Sequence, residues 1–375
     1  MNNEELRSNN ILVIGNGFDL AHGLPTEYID FIHAIERNLK APNFSDTESH
    51  LENVPLDISK SEIINNGFIN YFQCYTREVP GWVDLERLMK EIIGYFEEFF
   101  ENYQNIIMAG GGVFEDMVNT TPPNIEKNRL IECLFKFPLF SKNPYLDFDN
   151  DNRNKIMRPD YYTDNFGLNK KKVIKLLKNQ LDEVIELLRL YLQNYCYDKQ
   201  KDKLKAKKQI SDIRPCYVIS FNYTDTYKVY GIKPEDVFHV HGSLEKKNMV
   251  LGFDDDEPEN LDFVYFKKYF QRIQKLTGYI DDSKLKKAYI NFDGNNYIKA
   301  EKEALVHFYG HSMDKTDGDI IKKLKELSSG FVIYVRDPAK YPDYEQIVIN
   351  LIDVFGKDDA TKMIEKGFIK FKRCE

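Results

Sequence analysis

The chain has few cysteines, one tryptophan, no long apolar run and a deficit of positive charge, and each shortage removes a class of protein. The five cysteines, at positions 74, 133, 196, 216 and 374, are odd in number and never spaced Cys-x-x-Cys. That pattern argues against a zinc ribbon and against a disulfide framework. No stretch approaches the ~18 apolar residues of a membrane span, and Met1 to Asn10 lack the apolar core of a signal peptide. A reducing, cytoplasmic setting without a membrane partner is expected. With 52 Lys and Arg against 60 Asp and Glu, the net charge is -8. Nucleic acid is therefore a secondary hypothesis, since a broad phosphate-binding face needs the opposite sign.

What remains is an ordinary globular balance, 42% hydrophobic and 30% charged over 375 residues, enough for one large α/β domain with insertions or for two domains. Short apolar pieces at Ile11 to Ile14, Cys216 to Phe221, Val237 to Val240, Leu305 to Tyr309 and Phe331 to Val335 read as strands of a mainly parallel sheet. Tyr28, Phe31, Ile32, Ile35 and Leu39 form a first helical stripe after Pro25 and a candidate cap at Thr26. Two longer stripes follow, one from Leu85 to Tyr103 and one from Val173 to Leu192. Trp82, with Asp84 and Glu86, opens the first of these as a packed anchor rather than a pocket wall. Thr120 to Leu168 has little periodicity and reads as loops, and the lysine-rich run Asp198 to Lys208 as a solvated helix end or linker rather than a nucleic-acid site. The expected division is a first strand and helix in 1–40, a mainly helical insertion in 41–210, the rest of the sheet domain in 211–253 and 300–375, and a second insertion in 254–299.

Chemistry concentrates where strands end. In Ile11-Leu-Val-Ile-Gly-Asn-Gly-Phe-Asp19, Gly15 and Gly17 permit a sharp turn and close backbone approach. Gly15, Asn16, Gly17, Phe18 and Asp19 are then candidates to cradle a phosphate, a tight turn between core elements being the alternative. On the cradle reading, Gly17→Val lowers binding before it lowers stability. Ser220-Phe-Asn222-Tyr-Thr-Asp225 follows the second apolar strand, which puts Asn222 and Asp225 where open α/β sheets bind ligands. His239 and His241, in Val237-Phe-His-Val-His-Gly-Ser243, face one way on an extended strand. No third ligand at a diagnostic spacing accompanies them, so proton transfer is preferred to metal binding. Last, Tyr309-Gly-His-Ser-Met-Asp314 offers Gly310, Ser312 and Asp314 to phosphate or ribose, whereas Asp317 and Asp319 are equally explained as helix caps.

Together, Gly-Asn-Gly-Phe-Asp19 with His-Gly-Leu-Pro-Thr26, Trp82-Val-Asp-Leu-Glu86, Ser-Phe-Asn-Tyr-Thr-Asp225, His-Val-His-Gly-Ser243 and Gly-His-Ser-Met-Asp314 resemble the AbiH family of phage abortive-infection proteins, over positions 11 to about 355. More distantly, the same elements in the same order are similar to the sites of sirtuins and sirtuin-like NAD hydrolases. That similarity implies a Rossmann-like (sirtuin-like) fold and an NAD pocket. Asn222 and His241 then stand at the positions of the active-site Asn and His, with Asp225 displaced by one residue from the usual Asp. The zinc-binding cysteines of deacetylating sirtuins are absent. Expected is an NAD glycohydrolase that releases nicotinamide and ADP-ribose, answers a phage-encoded trigger and has room for a homo-oligomeric form. In it Asp225 and Asp314 hold ribose or orient the histidine. The competing readings are a nucleotide-sensing module acting through a partner, and a metal-dependent nuclease built on Asp254 to Asp256 and Asp314 to Asp319.

Overall fold

The computed structural model describes residues 10–40, 65–75, 82–108, 125–142, 155–163, 167–254, 261–277, 290–292, 297–299, 304–336 and 343–374. The chain divides into two compact units, one of residues 1–27, 192–255 and 268–375, the other of 28–191 and 256–267.

The first unit is built on six parallel strands: β1 (Asn10–Ile14), β2 (Tyr217–Ser220), β3 (Val237–His239), β4 (Ala304–Tyr309), β5 (Ser328–Val335) and β6 (Ile369–Arg373). Their spatial order is β6-β5-β4-β1-β2-β3, every neighbouring pair parallel. β1 is wholly apolar past Asn10 because it lies at the centre and both its faces are covered. Alternation sends Ile11 and Val13 into one core with Ile219, Val306, Phe308 and Ile333. Leu12 and Ile14 enter the other with Phe18, Val218, Tyr309 and Val332. Each of these four β1 side chains is fully buried, a burial that stabilises by about 1.5–3 kcal/mol apiece. The helices α1 (Asn16–Ala21), α2 (Lys268–Gln274), α3 (Gly318–Glu326), α4 (Asp343–Phe355) and α5 (Lys357–Glu365) belong to this unit.

Two local expectations change. The chain enters α1 directly after Gly15, before the helix Tyr28–Lys40 that carries the first apolar stripe. Thr26 donates its hydroxyl proton to Asn16 Oδ1 at 2.7 Å. β6 escapes pattern reading because Lys370, Lys372 and Arg373 leave it one short apolar face, the composition of a protected sheet edge.

The second unit carries the two long stripes as helices Trp82–Met108 and Lys170–Leu190. The side chain of Trp82 lies outside the described residues. Thr120 to Leu168 is more than loops: it contains the helix Ile125–Lys136 and an antiparallel pair, Phe140–Lys142 with Lys155–Met157. Leu130, Cys133, Leu134, Phe137, Leu139 and Met157 are among the buried side chains of that region, too few apolar positions among charges to register as a stripe. Phe137 packs edge-on against Phe68 and Phe96 at 5.3 and 5.0 Å, and lies so near Gly67 that a Cβ there would sit 2.2 Å from its ring. None of the five cysteines is in a disulfide. No helix among the described residues is long and apolar enough to cross a membrane.

Candidate functional site

Counting only the six sheet strands, the order is 3-2-1-4-5-6, and the direction of winding reverses between β1 and β4. Loops leaving the carboxyl ends of strands at such a reversal open a crevice. Here the segments that follow are Gly15 and the start of α1 to Asp19 after β1, Phe221 to Asp225 after β2, Val240 to Ser243 after β3, and Gly310 to Asp317, ending in a short 3-10 turn, after β4.

The glycines meet one another. A Cβ on Gly15 would stand 2.6 Å from Gly310 O, and one on Gly17 2.7 Å from Gly310 Cα. Gly310 has φ +66°, and its own Cβ would lie 2.2 Å from the Phe18 amide nitrogen. Close approach of the β1 and β4 loops is thus what all three residues demonstrably serve. The amide of Gly15 donates to Tyr309 O at 3.2 Å, that of Gly17 to Gly310 O at 2.9 Å, and that of Phe18 to Gly15 O at 2.8 Å. Three amides of the expected cradle are therefore engaged inside the chain. The Phe18 ring is core, 4.5 Å from the His22 ring centre and edge-on to Tyr309 at 6.0 Å. Gly17→Val consequently changes its expected outcome: the melting temperature should fall before binding does, because backbone rather than a movable side chain opposes the new Cβ. Calorimetry beside an ADP-ribose titration checks this. An unchanged melting point with weakened binding would restore the cradle reading.

Asp19 is buried, and Thr224 donates to its Oδ2 at 2.5 Å, tying α1 to the loop after β2. Its Oδ1 has no hydrogen-bond partner. Burial pushes its pKa up to about 6, against the opposing bonds from Thr224 and Thr226. Asn222 Nδ2 donates to Gly15 O at 2.9 Å, which joins the β1 and β2 loops. Asp225 accepts from Lys228 Nζ at 2.8 Å and lies 3.8 Å from His239 Nε2. Nδ1 of His239 meets Asn222 O at 3.0 Å. Asp225 thus lies nearer His239 than a hydrogen-bonded role at His241 would require, and the bond that orients the His239 ring is the one to Asn222 O. Asp314 accepts from the Thr316 amide as a local cap, and Ser312 is exposed, its carbonyl accepting from Asn350 Nδ2.

His241 lies past the end of β3, where the chain turns. Its Nε2 is 3.1 Å from Asp317 Oδ1. Asp317 occupies the N-cap position of α3 but makes no side-chain capping bond. Instead it is buried beside Arg272 Nη2 at 3.5 Å, Lys268 Nζ at 3.7 Å and His311 Nε2 at 3.7 Å. Burial alone would raise the Asp317 pKa, yet Lys268 and then His241 outweigh it and hold the carboxyl well below the usual range. Burial drives His241 the other way, down to about 4. Both histidines of this cluster are therefore neutral near pH 7.

Asp317, Lys268, Arg272 and His311 are the residues that sequence reasoning did not collect. A carboxylate before a helix reads as a cap, and only the i, i+4 spacing of Lys268 and Arg272 hinted at one shared helix face. The acidic cluster offered to a metal is occupied differently. Asp317 and Asp319 face Arg272, and Asp254 accepts from the Tyr269 amide. Asp255 and Asp256 lie outside the described residues. Among the described residues no group of three His, Cys, Asp or Glu is placed to hold a metal ion.

These buried groups also set an acid response. His22, His239, His241, His307 and His311 are all pushed below the ordinary histidine value by burial, His241 and His307 to about 4. An unfolded histidine binds its proton near 6.5, so the stability present at pH 7 is lost as pH falls from 6.5 towards 4. At pH 5 the loss is about 2 kcal/mol for each of those two. Asp19 opposes them, because its raised pKa costs stability as pH rises through 6. Acidification from pH 7.5 to 5 returns about 1.5 kcal/mol there. The expected net result is a falling melting temperature over that interval, with a steeper fall in Asp19→Asn. A melting point that rises on acidification would contradict the buried neutral histidines.

A winding reversal with glycine turns at β1 and β4, and with Asn and His past the ends of β2 and β3, defines a Rossmann-like α/β protein. The family model for bacteriophage abortive infection AbiH matches residues 11–334. The chain belongs to this family, which gives it a role in phage abortive infection. No curated protein and no solved structure matches it.

Proposed function

We propose that the carboxyl edge of the sheet binds NAD and hydrolyses its nicotinamide–ribose bond. The observation that carries this reading is the 3-2-1-4-5-6 order, whose reversal between β1 and β4 is where such sheets take dinucleotides, with Asn222 and His241 following the adjacent strands β2 and β3 on the β1 side of it. Water supplies the incoming oxygen. The C–N bond breaks with its electron pair going to the pyridinium nitrogen, so nicotinamide leaves neutral without needing a proton. The ribose carbon carries the developing positive charge until the water oxygen bonds to it, and the water's proton then departs. A water adding to such a cation becomes strongly acidic, so a base as weak as His241 suffices to accept its proton. Asn222, with Nδ2 held by Gly15 O, keeps Oδ1 to orient that water or a ribose hydroxyl. Gly310, Ser312 and Asp314 line the same edge and are assigned to the phosphate and ribose side of the ligand.

The test is nicotinamide release by purified protein, with and without extract of phage-infected cells, beside calorimetric NAD affinity. Asn222→Ala is expected to keep NAD affinity within about threefold and to lose about a hundredfold or more in single-turnover rate, the mark of an interaction made in the transition state. Wild-type turnover in Asn222→Ala would end the hydrolysis assignment at this site. If activated wild type binds NAD and never consumes it, the nucleotide-sensing reading replaces it.

A further inference from the structure

We propose that Asp317 is the positioning residue of His241: locked as an anion beside Lys268 and Arg272, it accepts the ring's Nε2–H and leaves Nδ1 presented as the acceptor for a ligand hydroxyl. In the NAD reading, on which only the identity of that hydroxyl rests, it belongs to ribose or to the attacking water.

The geometry allows one proton arrangement. Around Asp317 stand Arg272 Nη2, Lys268 Nζ, His241 Nε2 and His311 Nε2, with Oδ1 serving the first three and Oδ2 facing His311. His311 Nδ1 accepts from the Met313 amide at 2.9 Å, so a neutral His311 carries its proton on Nε2, towards Asp317. A carboxylate ringed by N–H groups is an acceptor only. His241 must then donate from Nε2, and a neutral imidazole that donates from Nε2 holds its lone pair on Nδ1. Nδ1 of His241 has no hydrogen bond among the described residues. The Phe221 ring lies 5.5 Å from His241 and 4.2 Å from His311, which restricts rotation of both rings. Lys268 is 2% and Arg272 4% exposed. Arg272 is shared with Asp319 Oδ2 at 3.1 Å, and together with Lys268 it keeps the Asp317 carboxylate from taking the proton that His241 accepts on its other side.

The tautomer of His241 decides the matter without reference to any ligand. Protein labelled with 15N-histidine is measured by two-bond proton–nitrogen correlation at pH 7.5, with His241→Gln assigning the signal. Wild type is expected to show the Nε2–H form of His241 in about tenfold excess or more, the size of a bond to a charged acceptor. Asp317→Leu removes the acceptor. Because it removes a charged partner of buried Lys268, Asp317→Leu with Lys268→Met is made as well, replacing a buried ion pair by apolar groups. In either folded variant the two tautomers should come within about threefold of each other. An Nδ1–H ring in wild type, or an unchanged Nε2–H excess in the variants, overturns the role of Asp317. Failure of the NAD reading looks different: wild type then neither binds ADP-ribose nor consumes NAD under activating conditions, while the tautomers behave as expected.

Discussion

Gly310→Val is expected to leave no stably folded parallel-sheet unit. The substituted Cβ would lie 2.2 Å from the Phe18 nitrogen and 2.3 Å from the Gly17 carbonyl carbon, in a backbone held at φ +66°. The left-handed conformation alone costs about 1–2 kcal/mol, and a β-branched residue adds to it. The contact is the larger effect, since backbone of the β1 loop cannot rotate away as a side chain does. A loss above about 4–5 kcal/mol is expected, comparable with the whole stability of many domains. Gly23 separates the two causes, having φ +81° and nothing within 4 Å of its would-be Cβ. Urea unfolding of Gly23→Ala should register only the conformational penalty. A Gly310→Val protein as stable as Gly23→Ala would show that the β1 and β4 loops do not meet as described.

The second large effect falls on chemistry. If the proposed NAD hydrolysis holds, His241→Gln is expected to reduce nicotinamide release about a hundredfold to ten-thousandfold, the usual contribution of a positioned acid or base, and to abolish phage protection while the fold persists. Glutamine can still donate to Asp317 but has no Nδ1 lone pair in the plane of an imidazole. His241→Ala should lose activity equally and some stability besides, since the ring is buried. His239→Gln should have the smaller effect, because that ring is engaged with Asn222 O and Asp225. NAD loss under activating conditions, measured beside plaque counts in cells carrying each variant, checks the ordering. Activity of His241→Gln equal to wild type would remove His241 from the site.

The central strand, the class of fold and the ends of four strands were legible in the sequence because each depends on short-range pattern. A run such as Ile11 to Ile14 is apolar at every position only when both faces are covered, and glycine followed by polar residues marks where such strands stop. The edge strand Ile369–Arg373 was not legible, for its lysines alternate with one thin apolar face. Nor was the short helix Asn16–Ala21, which is only six residues long. At the site, Asn222 and His241 stood out as polar residues beyond apolar strands, but their partners did not. Gly15 and Gly17 read as room for a phosphate, whereas the fold brings Gly310 against them from a strand almost 300 residues away in the chain. Asp225, near His241 in sequence, pairs with Lys228, while Asp317 meets His241 across 76 positions. Pairing of that kind follows from strand order and from burial, which decides which charges must meet. Local sequence carries residue type and period, and only the assembled sheet decides which carboxylate lies beside which imidazole.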